Sequence, residues 1–210
     1  KYEQLSAGGN GQPQVRIHII GFAKMIGDLL DGITAIFLFA IITLLITSIL
    51  LFLYTRSVRG TLSPLLCSVI AVIWQLGLLT TMGYGLNAYS ILIPFLIFAI
   101  GVSHGVQIIN AVLEESIAGH DRMASSRLAF RSLYVPGMTA LLTDAIGFLT
   151  MLMIPIAVIK DLGIAASVGV GVVVLTNLVL LPVMMSYLGI TKKTLDYHVK
   201  NRQDSTRGRA

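Results

Sequence analysis

Charge is scarce in this chain: Asp, Glu, Lys and Arg supply 12% of its 210 residues, about half the share of ordinary globular proteins. A surface wetted on every side cannot be built from so few. Cysteine is scarcer still. Cys67 stands alone in an apolar run, which excludes an intrachain disulfide and leaves packing as its role. No HExxH, CxxC, P-loop or dinucleotide fingerprint occurs, and Gly83-Tyr84-Gly85 reads as a turn, not a phosphate cradle; the enzyme classes built on those motifs have no footing. No aromatic-interleaved basic patch accompanies the net charge of +5, so nucleic acid is not an expected partner. The chain opens on Lys1 without the short apolar run and small-residue cleavage site of a signal peptide, and is expected to be part of a longer polypeptide.

What the chain has is long apolar runs. Residues 32–55, 60–113 and 162–191 contain no Asp, Glu, Lys or Arg. A spanning helix needs about 20 mostly apolar residues, so these stretches alone hold four spans. The fold class is therefore an all-α membrane protein. Residues 1–14, with Gly8, Gly9, Asn10, Gly11 and Pro13, read as a loop, and Val15, Ile17 and Ile19 alternate with Arg16 and His18 as a strand does. From Gly21 to Asp31 the apolar positions Phe22, Met25, Ile26, Leu29 and Leu30 recur at helical spacing opposite Lys24 and Asp28, which predicts an interfacial helix. Residues 1–32 thus read as the remnant of a preceding domain.

Five spans are predicted at about 33–54, 62–82, 89–113, 136–155 and 162–188, making a transmembrane bundle over 33–190. Between them lie a basic turn at 55–60, a Gly83–Asn87 turn, an amphipathic surface segment from Glu114 to Arg131, and a tight corner at Lys160-Asp161. Pro64 is expected in a first helical turn, where its missing N–H is harmless. Pro94 is expected to kink the third span and Pro182 to bend the end of the fifth. Gly163, Ala165, Ala166, Ser167, Gly169 and Gly171 predict close helix contacts along the fifth. Residues 191–210 read as a solvated tail or linker, and His18, His120 and His198 as surface residues. The 55–60, 114–131 and 191–210 segments hold eleven Lys and Arg against four elsewhere, which places the tail in the cytoplasm and the N-terminal segment outside.

Only two ionisable residues of the Asp, Glu, Lys, Arg or His type lie deep in the predicted spans: His104 in the third and Asp144 in the fourth. An Asp at a helix centre costs about 2.5–3.5 kcal/mol on insertion scales, so it needs a partner or a wet cavity. With the third span centred near Gly101 and the fourth near Ile146, the two lie about 4 Å and about 3 Å to the cytoplasmic side of the midplane. The expectation is that they share a level and form a proton relay. Ser103, Gln107, Asn110 and Thr143 are the supporting candidates, positioned to hydrogen-bond the pair or line a water path. A Ser103–His104 hydrolytic pair is disfavoured, since successive helical residues point about 100° apart.

These residues resemble one half of a resistance, nodulation and division (RND) superfamily exporter, of the kind related to mycobacterial membrane protein large (MMPL). Ile100-Gly101-Val102-Ser103-His104 resembles the fourth-helix Gly-Ile-Gly-Val-Asp-Tyr; Leu142-Thr143-Asp144-Ala145-Ile146-Gly147-Phe148 resembles the fifth-helix Leu-Thr-Thr-x-x-Gly-Phe; Asp161-Leu162-Gly163 resembles the start of the sixth. His18-Ile19-Ile20-Gly21-Phe22 looks like the end of that family's periplasmic porter domain. The chain departs from the pattern where Ser103-His104 replaces Asp-Tyr and where Asp144 replaces Thr.

The resemblance implies that the five spans are helices two to six of a six-helix half, in the sterol-sensing-domain-like arrangement. It further implies no enzymatic activity, no cofactor beyond a proton gradient, and a multi-pass location in the bacterial inner (plasma) membrane. The implied partners are membrane lipids, a hydrophobic or amphiphilic substrate, the second half of the same transporter, and further copies of itself. The implied function is proton-driven export of such molecules. The alternatives are a sterol-sensing-like lipid-binding module without pumping and a protein-translocation accessory subunit of the same superfamily.

Overall fold

The computed structural model describes residues 22–84, 92–191 and 194–200, and the strand expected at 15–19 lies outside them. The helices are α1 (Phe22–Thr55), α2 (Val58–Thr81), α3 (Ile93–Ile117), α4 (Arg122–Leu149), α5 (Ala157–Val173) and α6 (Leu181–Leu188). A 3-10 turn, Thr150–Met153, extends α4, and a π-helical segment, Val174–Leu180, joins α5 to α6. Five stretches are long and apolar enough to cross a bilayer: Leu38–Thr55, Val58–Thr81, Ile93–Ile117, Arg122–Met153 and Ala157–Leu188. The protein is an all-α, multi-pass membrane bundle. Two compact units divide it, residues 1–43 and 44–210, and the second holds α2 to α6 with the end of α1.

Several helix ends differ from the sequence reading, each for a local reason. Val58, not Leu62, opens α2: Arg56 adopts a positive φ of 49° at the turn, and the Ser57 hydroxyl caps the helix by accepting from the Gly60 N–H at 3.2 Å. Pro64 is consequently inside the helix, and Ser68 Oγ donates to its carbonyl at 2.8 Å. Pro94 sits in the first turn of α3, where it starts the helix and does not kink it. No separate surface helix forms over Glu114–Arg131. Gly119 at φ +96° ends α3, and Asp121 caps α4 by accepting from the Ala124 N–H at 2.9 Å, so the segment is shared between two spans. The corner expected at Lys160-Asp161 lies instead at Ile154–Ile156, where extended backbone and Pro155 stop the helix; both charged residues are inside α5.

Part of the expected solvated tail is docked. Residues 194–200 are helical, Thr194 is buried, and its hydroxyl donates to the Arg56 carbonyl at 3.2 Å. His198 is not a free surface residue: its Nε2 lies 3.3 Å from the Thr55 carbonyl, while the Arg56 guanidinium stands 5.7 Å over the Tyr197 ring. At the same end Arg59 donates to the Leu188 carbonyl at 2.7 Å, and the Arg122 side chain lies across Gly189. This is the basic end of the bundle. It neutralises the unpaired carbonyls that close α6.

The core is a seam among α2, α3 and α5 that only glycine permits. A Cβ at Gly105 would stand 2.6 Å from Pro64 Cβ, one at Gly101 2.8 Å from Ser68 Oγ, and one at Gly169 2.5 Å from Ile97. Backbones approach closely there, and dispersion is what holds helices together where lipid supplies no hydrophobic drive. Cys67 is fully buried in this seam as a packing residue.

Candidate functional site

α3 and α4 pack antiparallel and carry the ionisable pair together with its four supporting candidates. Ser103, Gln107 and Asn110 recur at spacings of four and three, which aligns them in one stripe of α3. Ser103, Gln107 and Thr143 are exposed; His104, Asn110 and Asp144 are half-buried. Asn110 Nδ2 donates to the Tyr54 hydroxyl at 3.0 Å and so ties α3 to the end of α1. The Thr143 hydroxyl donates to the Thr139 carbonyl one turn back, at 2.8 Å, which binds it to its own helix. Ser103 and His104 differ in exposure as their 100° offset requires.

His104 and Asp144 do not share a level. Asn177 packs on Gly101 and Gly105 of α3 while its neighbour Leu178 packs on Gly137 of α4, so His104 stands level with Gly137. Further along, Ser167 Oγ donates to the Ala145 carbonyl at 3.2 Å, and Gly169 meets Ile97. Asp144 is thus seven residues beyond the level of His104, about 10 Å at 1.5 Å per residue. The expected levels took each span as centred on its apolar stretch, whereas α4 begins well before that stretch, at Arg122.

Direction partly closes that gap. The Cα–Cβ bonds of a helix tilt toward its N-terminus. The N-terminus of α3 is remote from the basic end and that of α4 is at it, so the imidazole and the carboxylate lean toward each other. Among the described residues no hydrogen bond or ion pair joins them.

The buried neutral polar groups escaped the sequence reading. Gln75 and Asn177 are fully buried, and the Oε1 of one and the Oδ1 of the other have no hydrogen-bond partner among the described residues. Gln75 Nε2 donates to the Ala165 carbonyl at 3.0 Å, and Asn177 Nδ2 reaches Thr176 Oγ1 at 3.4 Å. Asn177 lies within the π-helical segment, a distortion that recurs at functional sites. An amide in an apolar run was the available signal.

The known proteins speak to the same helices. The MMPL family pattern matches residues 6–207 of the chain. The chain belongs to the MMPL family. A membrane protein of Methanocaldococcus jannaschii is 27% identical over 139 residues, which are 65% of this chain and 35% of that protein. The chain therefore spans about a third of that curated relative. Within this MMPL chain the three stretches that carry the RND resemblance fall on α3, α4 and the first half of α5, which puts His104 and Asp144 on adjoining helices of the bundle.

Proposed function

We propose that this MMPL chain is the transmembrane half of a proton-motive-force-driven exporter of RND type, moving lipids or other amphiphilic molecules. It works beside a second half, in the plasma (inner) membrane, with the basic end cytoplasmic and residues 1–32 outside. No catalytic chemistry and no cofactor other than the proton gradient are assigned to it. The observation that carries the reading is the lone ionisable pair: among the described residues His104 and Asp144 are the only ones of that kind deep in the spans, and they occupy adjacent, packed helices. Intramembrane ionisable residues are functional by default, because an inert one costs insertion energy for nothing. Each proton crossing 100 mV releases about 2.3 kcal/mol, enough to bias a conformational cycle.

The experiment is transport of a fluorescent phospholipid by the full-length protein in vesicles with an imposed pH gradient. Transport is expected to stop when a protonophore collapses the gradient, and Asp144→Asn and His104→Ala are each expected to lower it at least ten-fold while leaving insertion intact. Unchanged transport in both variants overturns the relay. Lipid binding indifferent to the gradient, with no transport at all, favours a lipid-sensing module instead.

A further inference from the structure

A groove of about 240 Å³ runs between α4 and the end of α5–α6, lined by Ser126, Arg127, Phe130, Val179, Pro182 and Val183 among others. It combines features that the rest of the bundle keeps apart. Phe130, Val179, Pro182 and Val183 make apolar walls. Ser126 is 3% exposed, and its Oγ has no hydrogen-bond partner among the described residues. A buried hydroxyl left unpaired costs free energy comparable to a lost hydrogen bond, so this one lacks an acceptor. Arg127 stands exposed at the groove, and Arg131, one turn on, lines a wider adjoining cleft of about 710 Å³. Asp121 also borders that cleft, but its carboxylate is engaged in capping α4 through the Ala124 N–H.

Depth narrows the occupant. Arg127 lies five residues into α4 from the basic end, about 8 Å, the headgroup level when the apolar spans fill the hydrocarbon core. The walls formed by Val179 and Phe130 continue inward from there. We propose that the groove seats one anionic glycerophospholipid of the leaflet at the basic end. Its phosphate pairs with Arg127, while the Ser126 hydroxyl, sealed beneath the groove floor, stays out of its reach; one acyl chain lies along Phe130, Pro182, Val183 and Val179. Charge complementarity carries the choice of an anionic headgroup. Basic pockets between helices on the cytoplasmic side favour such lipids, and a guanidinium pairs with phosphate through two parallel N–H donors. Phosphatidylcholine carries the same phosphate, but its quaternary ammonium cancels that charge and would stand beside Arg127 and Arg131. The volume holds a length of chain, so the remainder of the lipid stays in the bilayer.

The test uses the full-length protein in phosphatidylcholine vesicles carrying a trace of spin-labelled phosphatidylglycerol or spin-labelled phosphatidylcholine, with the motionally restricted fraction read for each. Phosphatidylglycerol is expected to be restricted in preference. Arg127→Gln should lower that preference about five-fold, the change that one basic residue near an anionic surface supplies. Arg127 is exposed, so this variant does not threaten the fold. Arg56→Gln, at the same end but outside the groove, should leave the preference unchanged. Val183→Trp, which fills the groove without altering charge, should abolish it. Equal loss in Arg127→Gln and Arg56→Gln overturns the proposal in favour of diffuse attraction to the basic end. An undiminished preference in Val183→Trp, or displacement of the labelled lipid by soluble glycerol phosphate, overturns it as well.

Discussion

Along the α2–α3–α5 seam, polar side chains are closed in. Ser68, Gln75, Thr176 and Asn177 are buried, and glycines bring the backbones together around them. On the α3–α4 side they are open: Ser103, Gln107 and Thr143 are exposed, and His104 and Asp144 are half-buried. The difference follows from charge. A hydroxyl or amide can be sealed inside because a nearby carbonyl accepts from it, as Pro64 does from Ser68 and Val172 from Thr176, at 3.1 Å. A carboxylate has no such local remedy and needs water or a counter-charge. The closed seam is therefore fit to be a scaffold, and the open face is where a charge can be tolerated.

The comparison breaks most sharply if a charge is moved into the seam. Gln75→Glu puts a carboxyl where Gln75 Oε1 already lacks a donor, and should cost about 2.5–3.5 kcal/mol or bind a proton to avoid it. Gln75→Leu, which removes both the orphan acceptor and one hydrogen bond, should stay within about 1 kcal/mol of the parent. Unfolding in a denaturing detergent separates the two. If Gln75→Glu is as stable as Gln75→Leu even at alkaline pH, where a carboxyl can no longer hold its proton, the seam is wet and the division fails.

Gly105→Ala comes next. Its Cβ would meet Pro64 Cβ, a ring atom that cannot swing aside, so overpacking should cost about 1–3 kcal/mol. Asp144→Asn, on the open face, should leave the same unfolding midpoint unchanged or higher, in contrast to the at least ten-fold loss of transport expected of it. A smaller effect is expected from Arg59→Ala, about 1 kcal/mol, through loss of the bond from its guanidinium to the Leu188 carbonyl. High salt should reproduce little of it, since the carbonyl is a direct partner.

How far the bundle could be read from its sequence depended on the kind of signal. Four of the five spans were legible because a run without charge longer than about 20 residues has one stable outcome in lipid, and the fourth in chain order by the apolar residues on both sides of Asp144. The family was legible in three stretches, those around His104, Asp144 and Asp161. Helix ends were not. Gly119 and Asp121 divide the 114–131 segment by backbone conformation and one side-chain cap, local choices that hydropathy does not register. The relative depth of His104 and Asp144 depended on those ends. The docking of 194–200 was hidden for a further reason: Thr194, Tyr197 and His198 gain their partners on the α1–α2 turn, distant in sequence and visible only once both elements are placed.

The smallest effect tests the stripe of small residues in α5. The sequence treats Gly163, Ala165, Ala166, Ser167, Gly169 and Gly171 alike, but the structure does not. A Cβ at Gly169 would strike Ile97, whereas one at Gly171 meets nothing within 4 Å. Gly171→Ala should then stabilise the protein by about 0.5–1 kcal/mol, the conformational entropy that glycine forfeits in a helix, seen as a small rise in Tm. The sign carries the information. A fall in Tm for the full-length protein would mean that another helix closes on Gly171 as tightly as α3 closes on Gly169. The face that looks open would then be a second seam, as the proposed second half of the transporter requires.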